Sequence, residues 1–510
     1  MMRLTKGMMV SALVLMFASG AGAFSLLGPF KIGANFTGDE WQGDGFAGRP
    51  QGLGYSLNGD IGGPMLPTEA YRWNVPLLTY AYDSTFLQYF GSNGVNAVEE
   101  AIAILNALPP ASRMSASLSE FPLDTKAENQ TAASLGLRDL KSTALAFLME
   151  EMGLANPERF VWGLRGRDTG QNFTNYSVIQ LNYDPLTIEP SRYVNGVLYN
   201  YRIFDALGPM GAEWASAVEW YQLDPLRVPY SSVVGAGLGS SDLQLGSDPN
   251  DLAFFSSTAV LLSGQYFSGI TRDDAGGIRF LLSPNHMVFD TILPTVLPSS
   301  SGTSGSPWSP VLGTNVLGTN LTGISNIIGS IGTNFPNFVR TALRPGVDKI
   351  RFQRVPLLGT NFTPITLRYT DRFINPTNGR AGRQSVERLV LQPDIVFGVR
   401  DLGLQFEVPV LASRTSTAGW TNNAALNSVL GPVGLGGPGT INPGIAIVFS
   451  DMSPYFLNLI EGGQDIDGFG PILWGSFDGS DRPPVVYPQF LNGQPSLQYL
   501  RSVILRPRRN

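Results

Sequence analysis

No cysteine occurs in the 510 residues, and His286 is the only histidine. A chain of this length, enough for about two to four domains, must therefore hold its fold without disulfides and without the Cys/His cages of structural zinc sites. Packing, hydrogen bonds and ion pairs carry the whole structure. The same two counts remove cysteine nucleophiles and multi-histidine metal centres from the available chemistry. Hydrophobic residues make 43% of the chain and aromatics 11%, too much for disorder and enough for a sizeable core. Charged residues make only 15%, against roughly 25% in average soluble domains, so neutral polar side chains must cover much of the surface. With 59 glycines and 37 prolines the chain exceeds the average share of turn formers. That predicts a loop-rich, strand-rich fold.

The N-terminus reads as an export leader. Arg3 and Lys6 supply positive charge, Met8 to Ala18 form an apolar run, and Ala21-Gly22-Ala23 gives the small-x-small pattern of a leader cleavage site, so the mature chain is expected to start at Phe24. The apolar run is about half the roughly 20 residues a bilayer span needs, and no membrane span is expected after cleavage. Removing Arg3 and Lys6 leaves 32 basic against 40 acidic residues, a net charge of −8. An acidic chain is not built to neutralise phosphates, so nucleic acid is not an expected partner. An extracellular partner or self-association is expected instead, at a secreted or cell-surface location. Only five of the 34 basic residues are lysines.

Composition divides the rest. Residues 24–70 are Gly-rich and read as extended loop, with turns at Asn58-Gly59 and Gly62-Gly63-Pro64. Helical spacing follows: Val95, Val98, Ile102 and Leu105 after a cap at Asn93, stopped by Pro109-Pro110, and then Leu137 to Met152 with Gly153 as its stop. A third helix is expected from Thr271 through Leu282, and a short one around Gly211 to Trp220. Tyr176 to Tyr183 and Gly196 to Phe204 read as strands. The Ser/Gly/Pro stretch at 294–310 reads as a linker. Beyond it Ile350 to Leu358, Ile365 to Phe373, Val386 to Phe397, Ile445 to Phe449 and Tyr499 to Leu505 read as strands. The expected class is α+β: a mixed α/β part over 71–293 followed by a β-rich, sandwich-like part over 311–510.

Few residues are placed to do chemistry. His286, in Ser283-Pro284-Asn285-His286-Met287, is the one imidazole, and no G-x-S-x-G elbow exists to pair with it. It is expected in a loop or partly buried. Glu150 and Glu151 lie about 100° apart on a helix, which predicts one solvated and one interfacial carboxylate. Calcium is the one ion with a partial motif. Gly463-Gln464-Asp465-Ile466-Asp467-Gly468 supplies two oxygen positions and the turn glycine of a calcium loop, but Trp474 stands where the bidentate Glu belongs. Asp478 and Asp481 could complete a site with Asp465 and Asp467.

Three blocks, in order, resemble one family. Residues 71–108 (YRWNVPLLTYAYDSTFLQYFGSNGVNAVEEAIAILNAL) are similar to the opening strand and first helix of matrixin-type metallopeptidases, the secreted zinc proteases of the metzincin group. DLKSTALAFLMEEMGLANP (139–157) is similar to their active-site helix, and TRDDAGGIRFLL (271–282) resembles their closing helix, with its D-D-x-x-G-I run. The blocks cover less than a fifth of the chain, and an insertion of roughly residues 160–260 separates the last two. The resemblance implies a zincin-like scaffold, but not its activity. The family's H-E-x-x-H-x-x-G-x-x-H places three imidazoles on zinc and a Glu beside water. Aligned on Gly153, those positions hold Ala146, Phe147, Glu150 and Asn156, and no shift of alignment could supply three histidines.

The sequence thus predicts an exported protein that is noncatalytic, a structural or binding component whose cofactor is none or calcium. Two alternatives stay open: a secreted hydrolase using carboxylates or calcium, and a pseudo-protease that still binds peptides by strand addition at a sheet edge.

Overall fold

The computed structural model describes residues 23–27, 64–65, 67, 72–155, 157, 161, 163–169, 174–205, 216–222, 263–299, 338–357, 361–375, 379–400, 413–417, 420–422, 439–441, 444–450, 473–488, 490–491 and 494–495. It contains both helices and sheets. At its centre lies a five-stranded sheet, β1 (Leu77–Tyr82), β2 (Arg351–Arg354), β3 (Ile395–Arg400), β4 (Ser413–Thr417) and β5 (Ile445–Ser450), in the order β2-β1-β3-β5-β4. The first four in that order run parallel, and β4 runs antiparallel to β5. Leu-Leu-Thr-Tyr-Ala-Tyr and Ile-Ala-Ile-Val-Phe are near-continuous apolar runs, as strands covered on both faces require.

Helix α1 (Ser84–Ala107) follows β1 directly. Asp83 caps it, its Oδ1 accepting the Phe86 N–H at 2.9 Å. The expected start at Asn93 covers only its second limb: at Gly91, with φ +59°, the helix kinks, and Phe86 and Phe90 of the first limb are buried too. Helix α2 (Leu140–Glu151) is capped by Asp139 and ends at Gly153, whose φ of +106° is the left-handed stop the sequence indicates. Helix α3 (Arg272–Leu282) starts at Thr271 with a capping box to Asp274. On β5, Phe449 gathers the helices, its ring centroid lying 6.0 Å from Phe86, 5.7 Å from Phe90, 6.2 Å from Phe147 and 5.5 Å from Trp474.

Strand pairing crosses the segment 294–310. In the core sheet β1 lies between β2 and β3. A second, antiparallel sheet joins Val288–Thr291 to Thr341–Arg344 and Val296–Pro298 to Ala381–Val390, and Leu137–Asp139 pairs parallel with Leu473–Ser476. The strands beyond 311 therefore complete sheets begun before 294 and do not close into a sandwich of their own among the described residues. Residues 300–310 and the strand expected at Tyr499 to Leu505 lie outside those residues.

Two local expectations are corrected. Residues 216–222 form a strand, not a helix, paired antiparallel along its whole length with Val197–Asp205; its Val, Trp and Tyr favour that pairing. Phe24–Leu27, read as the start of a loop segment, is a strand paired with Pro64–Met65, Leu154–Ala155 and Asn182–Tyr183. Among the described residues no helix is long and apolar enough to cross a membrane.

Candidate functional site

Helix α2 carries the positions that the resemblance would make a metal site. Ala146 and Phe147 are fully buried, and the Phe147 ring packs on Phe449. Asn156 lies outside the described residues. The helix is buried on every side, Lys141 being its only residue that is not, because α1, β4 and the strand Leu473–Ser476 all pack against it. This corrects the expectation for the acid pair: Glu150 is 1% exposed and Glu151 0%, so neither is solvated. The Glu151 carboxyl has no hydrogen-bond partner, and burial together with the neighbouring Glu150 charge pushes it well above the usual carboxylate range. Its backbone carbonyl accepts the Trp73 indole N–H at 2.7 Å. A neutral buried acid of this kind serves packing and presents no charge to a ligand.

Asp139, at the other end of α2, accepts the Ser142 N–H at 2.9 Å and the Ser142 hydroxyl at 2.5 Å. That hydroxyl oxygen in turn accepts the Phe267 N–H at 2.8 Å. Burial raises the Asp139 carboxyl to about 6.

His286 follows α3 in a turn, as expected, and is partly buried. Its Nδ1 lies 2.9 Å from the Phe280 carbonyl, which can only accept, so Nδ1 carries the hydrogen. The ring packs on Phe280 at 4.2 Å. Burial and the nearby Arg72 guanidinium lower its pKa to about 4. The imidazole is thus neutral at pH 7, and no hydroxyl or thiol among its described partners makes it the base of a nucleophile.

Of the four aspartates considered for calcium, Asp465 and Asp467 lie outside the described residues, while Asp478 and Asp481 are exposed. Asp478 closes a turn on itself: its Oδ1 accepts the Ser480 N–H at 2.8 Å and hydroxyl at 2.5 Å, which lowers its pKa. Among the described residues no three His, Cys, Asp or Glu side chains come together as a metal site would need.

Two polar constellations escape sequence reasoning. One is a buried ion-pair network between sheets. Arg72 meets Asp290 at 3.1 Å with both side chains fully buried. Arg344 holds Asp371 through Nε at 2.9 Å and Nη2 at 3.1 Å and donates to the Asp290 carbonyl at 2.7 Å, and Arg388 pairs with Asp394. The Asp394 carboxylate also accepts the Thr79 N–H at 2.7 Å. The other is the buried carboxyl of Asp273 on α3, whose Oδ2 accepts backbone N–H groups from Ala23 at 2.8 Å and Asn195 at 2.5 Å. The first is tied together by contacts that bridge hundreds of residues of sequence, Arg72 with Asp290 and Thr79 with Asp394; for the second, the acidic pair Asp273-Asp274 at a helix start was the available signal.

No known family model matches the chain, and no curated protein and no solved structure matches it either.

Proposed function

We propose that the mature chain is an exported, noncatalytic protein that works by surface contact, at a cell surface or with further copies of itself, on a zincin-like scaffold that has lost its metal. The observation that carries this reading is the fate of α2: Ala146 and Phe147 are core side chains packed under Phe449, so the helix is kept for packing. The partly buried, neutral His286, with Nδ1 held by the Phe280 carbonyl, supports it, because catalysis near pH 7 needs a group tuned and placed to take or give a proton. A pseudo-protease that binds peptides is the second reading. It is favoured by β4, which pairs only with β5 among the described residues and so leaves an edge open to strand addition.

The test is fractionation of an exporting culture with metal analysis of the purified protein. The expected result is protein in the cell-bound or assembled fraction, with zinc far below one per chain and no peptide turnover. One zinc per chain, with turnover lost on chelation, would overturn the reading. Turnover that survives chelation and falls in His286→Ala would move the protein to the hydrolases.

A further inference from the structure

Charge is unevenly spread along this acidic chain. Residues 338–390 hold ten basic and three acidic side chains, a net +7 within a mature chain of −8, which leaves −15 for the rest. Strand alternation then sorts these charges between two faces. In the hairpin of Ile365–Ile374 with Ala381–Val390, Asp371 and Arg388 are buried on the inner face. Both are committed there, Asp371 to Arg344 and Arg388 to Asp394. Arg368, Arg372 and Arg383 are exposed on the outer face, and Arg380 is exposed beside the turn. The inner face spends its charges on ion pairs, and the outer face keeps a surplus of arginine.

On that outer face Arg372 stands directly opposite Arg383. Like charges in this position destabilise an antiparallel pair, and neither guanidinium makes a hydrogen bond or ion pair among the described residues. Thr370 opposite Ser385 comes next, and then Arg368 opposite Glu387, which it meets at 2.7 Å. Glu387 is the hairpin's one acid on this face, and it is already taken. Two adjacent guanidinium forks with hydroxyls beside them offer the donor pattern that a carboxylate accepts. Half-buried Ile374 and Leu389 flank the arginines at either end. Arginine set between aliphatic groups, with no lysine, is the composition of a protein interface.

We infer that this outer face docks onto surface carboxylates of a second copy of the chain, head to tail. The inference rests on the reading above in which copies contact one another, and it names the surface they use. Charge complementarity selects the occupant: the −15 of the remaining chain supplies the carboxylates that the face lacks. Two such faces cannot meet each other, because Arg372 and Arg383 would then oppose arginines. The contact is therefore heterologous, and a heterologous contact repeats into a ring or an open filament, not a two-fold dimer. Its size sets its strength. Strands of ten residues span about 34 Å and five strands about 24 Å, so the face is at most about 800 Å², and the flanking strands of three or four residues keep it below that. A standard interface buries about 800 Å² per partner, so each contact is weak alone and gains by repetition. Seating a carboxylate between Arg372 and Arg383 also removes their mutual repulsion.

The experiment is sedimentation of the purified mature chain at rising concentration, in about 10 mM and about 1 M salt, where charges act over about 30 Å and about 3 Å. The Arg372→Gln/Arg383→Gln double variant is run alongside. The parent is expected to associate beyond a dimer in low salt and to fall to monomer in high salt. The double variant should associate about tenfold more weakly or worse, while melting at the same temperature or higher because a like-charge pair is gone. Arg372→Lys/Arg383→Lys keeps the charge without the fork and should fall between the two. A parent that stays monomeric in low salt, association that stops at a dimer, or equal association in the double variant overturns the inference and leaves the surface-contact reading standing. Polygalacturonate, a carboxylated polysaccharide, is the second probe: if a monomeric parent binds it and the double variant does not, the face belongs to a glycan and the second copy is overturned as its occupant. One zinc per chain with peptide turnover would overturn the surface-contact reading itself. Should the glutamine variant fail to fold, the lysine variant and the salt series still decide.

Discussion

The arginine bias has a physical reading in the buried pairs. Arg72, Arg344 and Arg388 are each at most 3% exposed at the side chain; Arg344 and Arg388 each spread their N–H donors over a carboxylate and backbone carbonyls, while Arg72 turns Nη2 to the Arg344 carbonyl and the Asp290 carboxylate. A lysine offers one compact charge and would leave those acceptors unmet. Buried acids without such partners behave differently, and Asp139 makes that testable. Its carboxyl is held near 6 against an ordinary 3.8, so the folded state binds the proton more tightly than the unfolded chain. Stability due to this group is therefore full below about pH 4 and falls as pH rises to about 6, by about 3 kcal/mol as an order of magnitude. Asn in its place keeps an oxygen for the Ser142 N–H but cannot ionise. Asp139→Asn should flatten the melting temperature against pH between 4 and 6 relative to the parent, and parallel curves would show that the carboxyl titrates normally.

At the scale of elements, α3 contains Gly276 and Gly277, each about 1 kcal/mol worse than Ala in a helix interior. Close approach explains them. A Cβ on Gly277 would stand 2.5 Å from Leu154 Cδ2 and 3.3 Å from Phe24 Cβ, and one on Gly276 would stand 2.5 Å from Pro185 Cβ. Gly277→Ala should therefore cost about 1–3 kcal/mol although it improves helix propensity, read as a lower denaturant midpoint at unchanged slope. A neutral result would mean that α3 and the strand Phe24–Leu27 are not packed this closely. Helix ends were legible in the sequence because they depend on neighbours in the chain: Thr271 with Asp274, and Gly153 at its positive φ. The first limb of α1 carried its own signal in Asp83, Phe86 and Phe90, masked by Gly91, which reads as a stop. Burial of Glu150 and Glu151 was not legible, since helical spacing reports which residues share a face and not whether every face is covered. Nor was the sheet order, in which Arg351 finds Leu77 as its partner across the length of the chain. At Ala146, Phe147 and Glu150 the residue types are plain in the sequence, and their burial is visible only in the fold.

The whole molecule is held by ladders and packing that join its two halves. β1 and α1 come from before residue 294; β2, β3 and β5 come from beyond 310. Phe86, Phe90 and Phe147 from one side meet Phe397 and Phe449 from the other, and the Arg72–Asp290 pair is closed by Arg344, whose carbonyl Arg72 contacts at 2.9 Å. Burying each large aromatic contributes about 1.5–3 kcal/mol, so separating the halves would expose more apolar surface than either could cover alone. Ser300 to Ser306 remains the cheapest place to cut, being Ser/Gly-rich and poor in apolar side chains; Ser299 is already tied by its N–H to the Ser385 carbonyl at 2.9 Å. A protease should nick there and give two bands on a denaturing gel, while native gel filtration shows one peak at the mass of the intact chain. Expression of residues 24–310 alone should give aggregated or dye-binding material, because β1 loses both neighbours. Two separately folded fragments, each melting cooperatively by itself, would show that the ladders across 294–310 contribute little and that the chain is two domains after all.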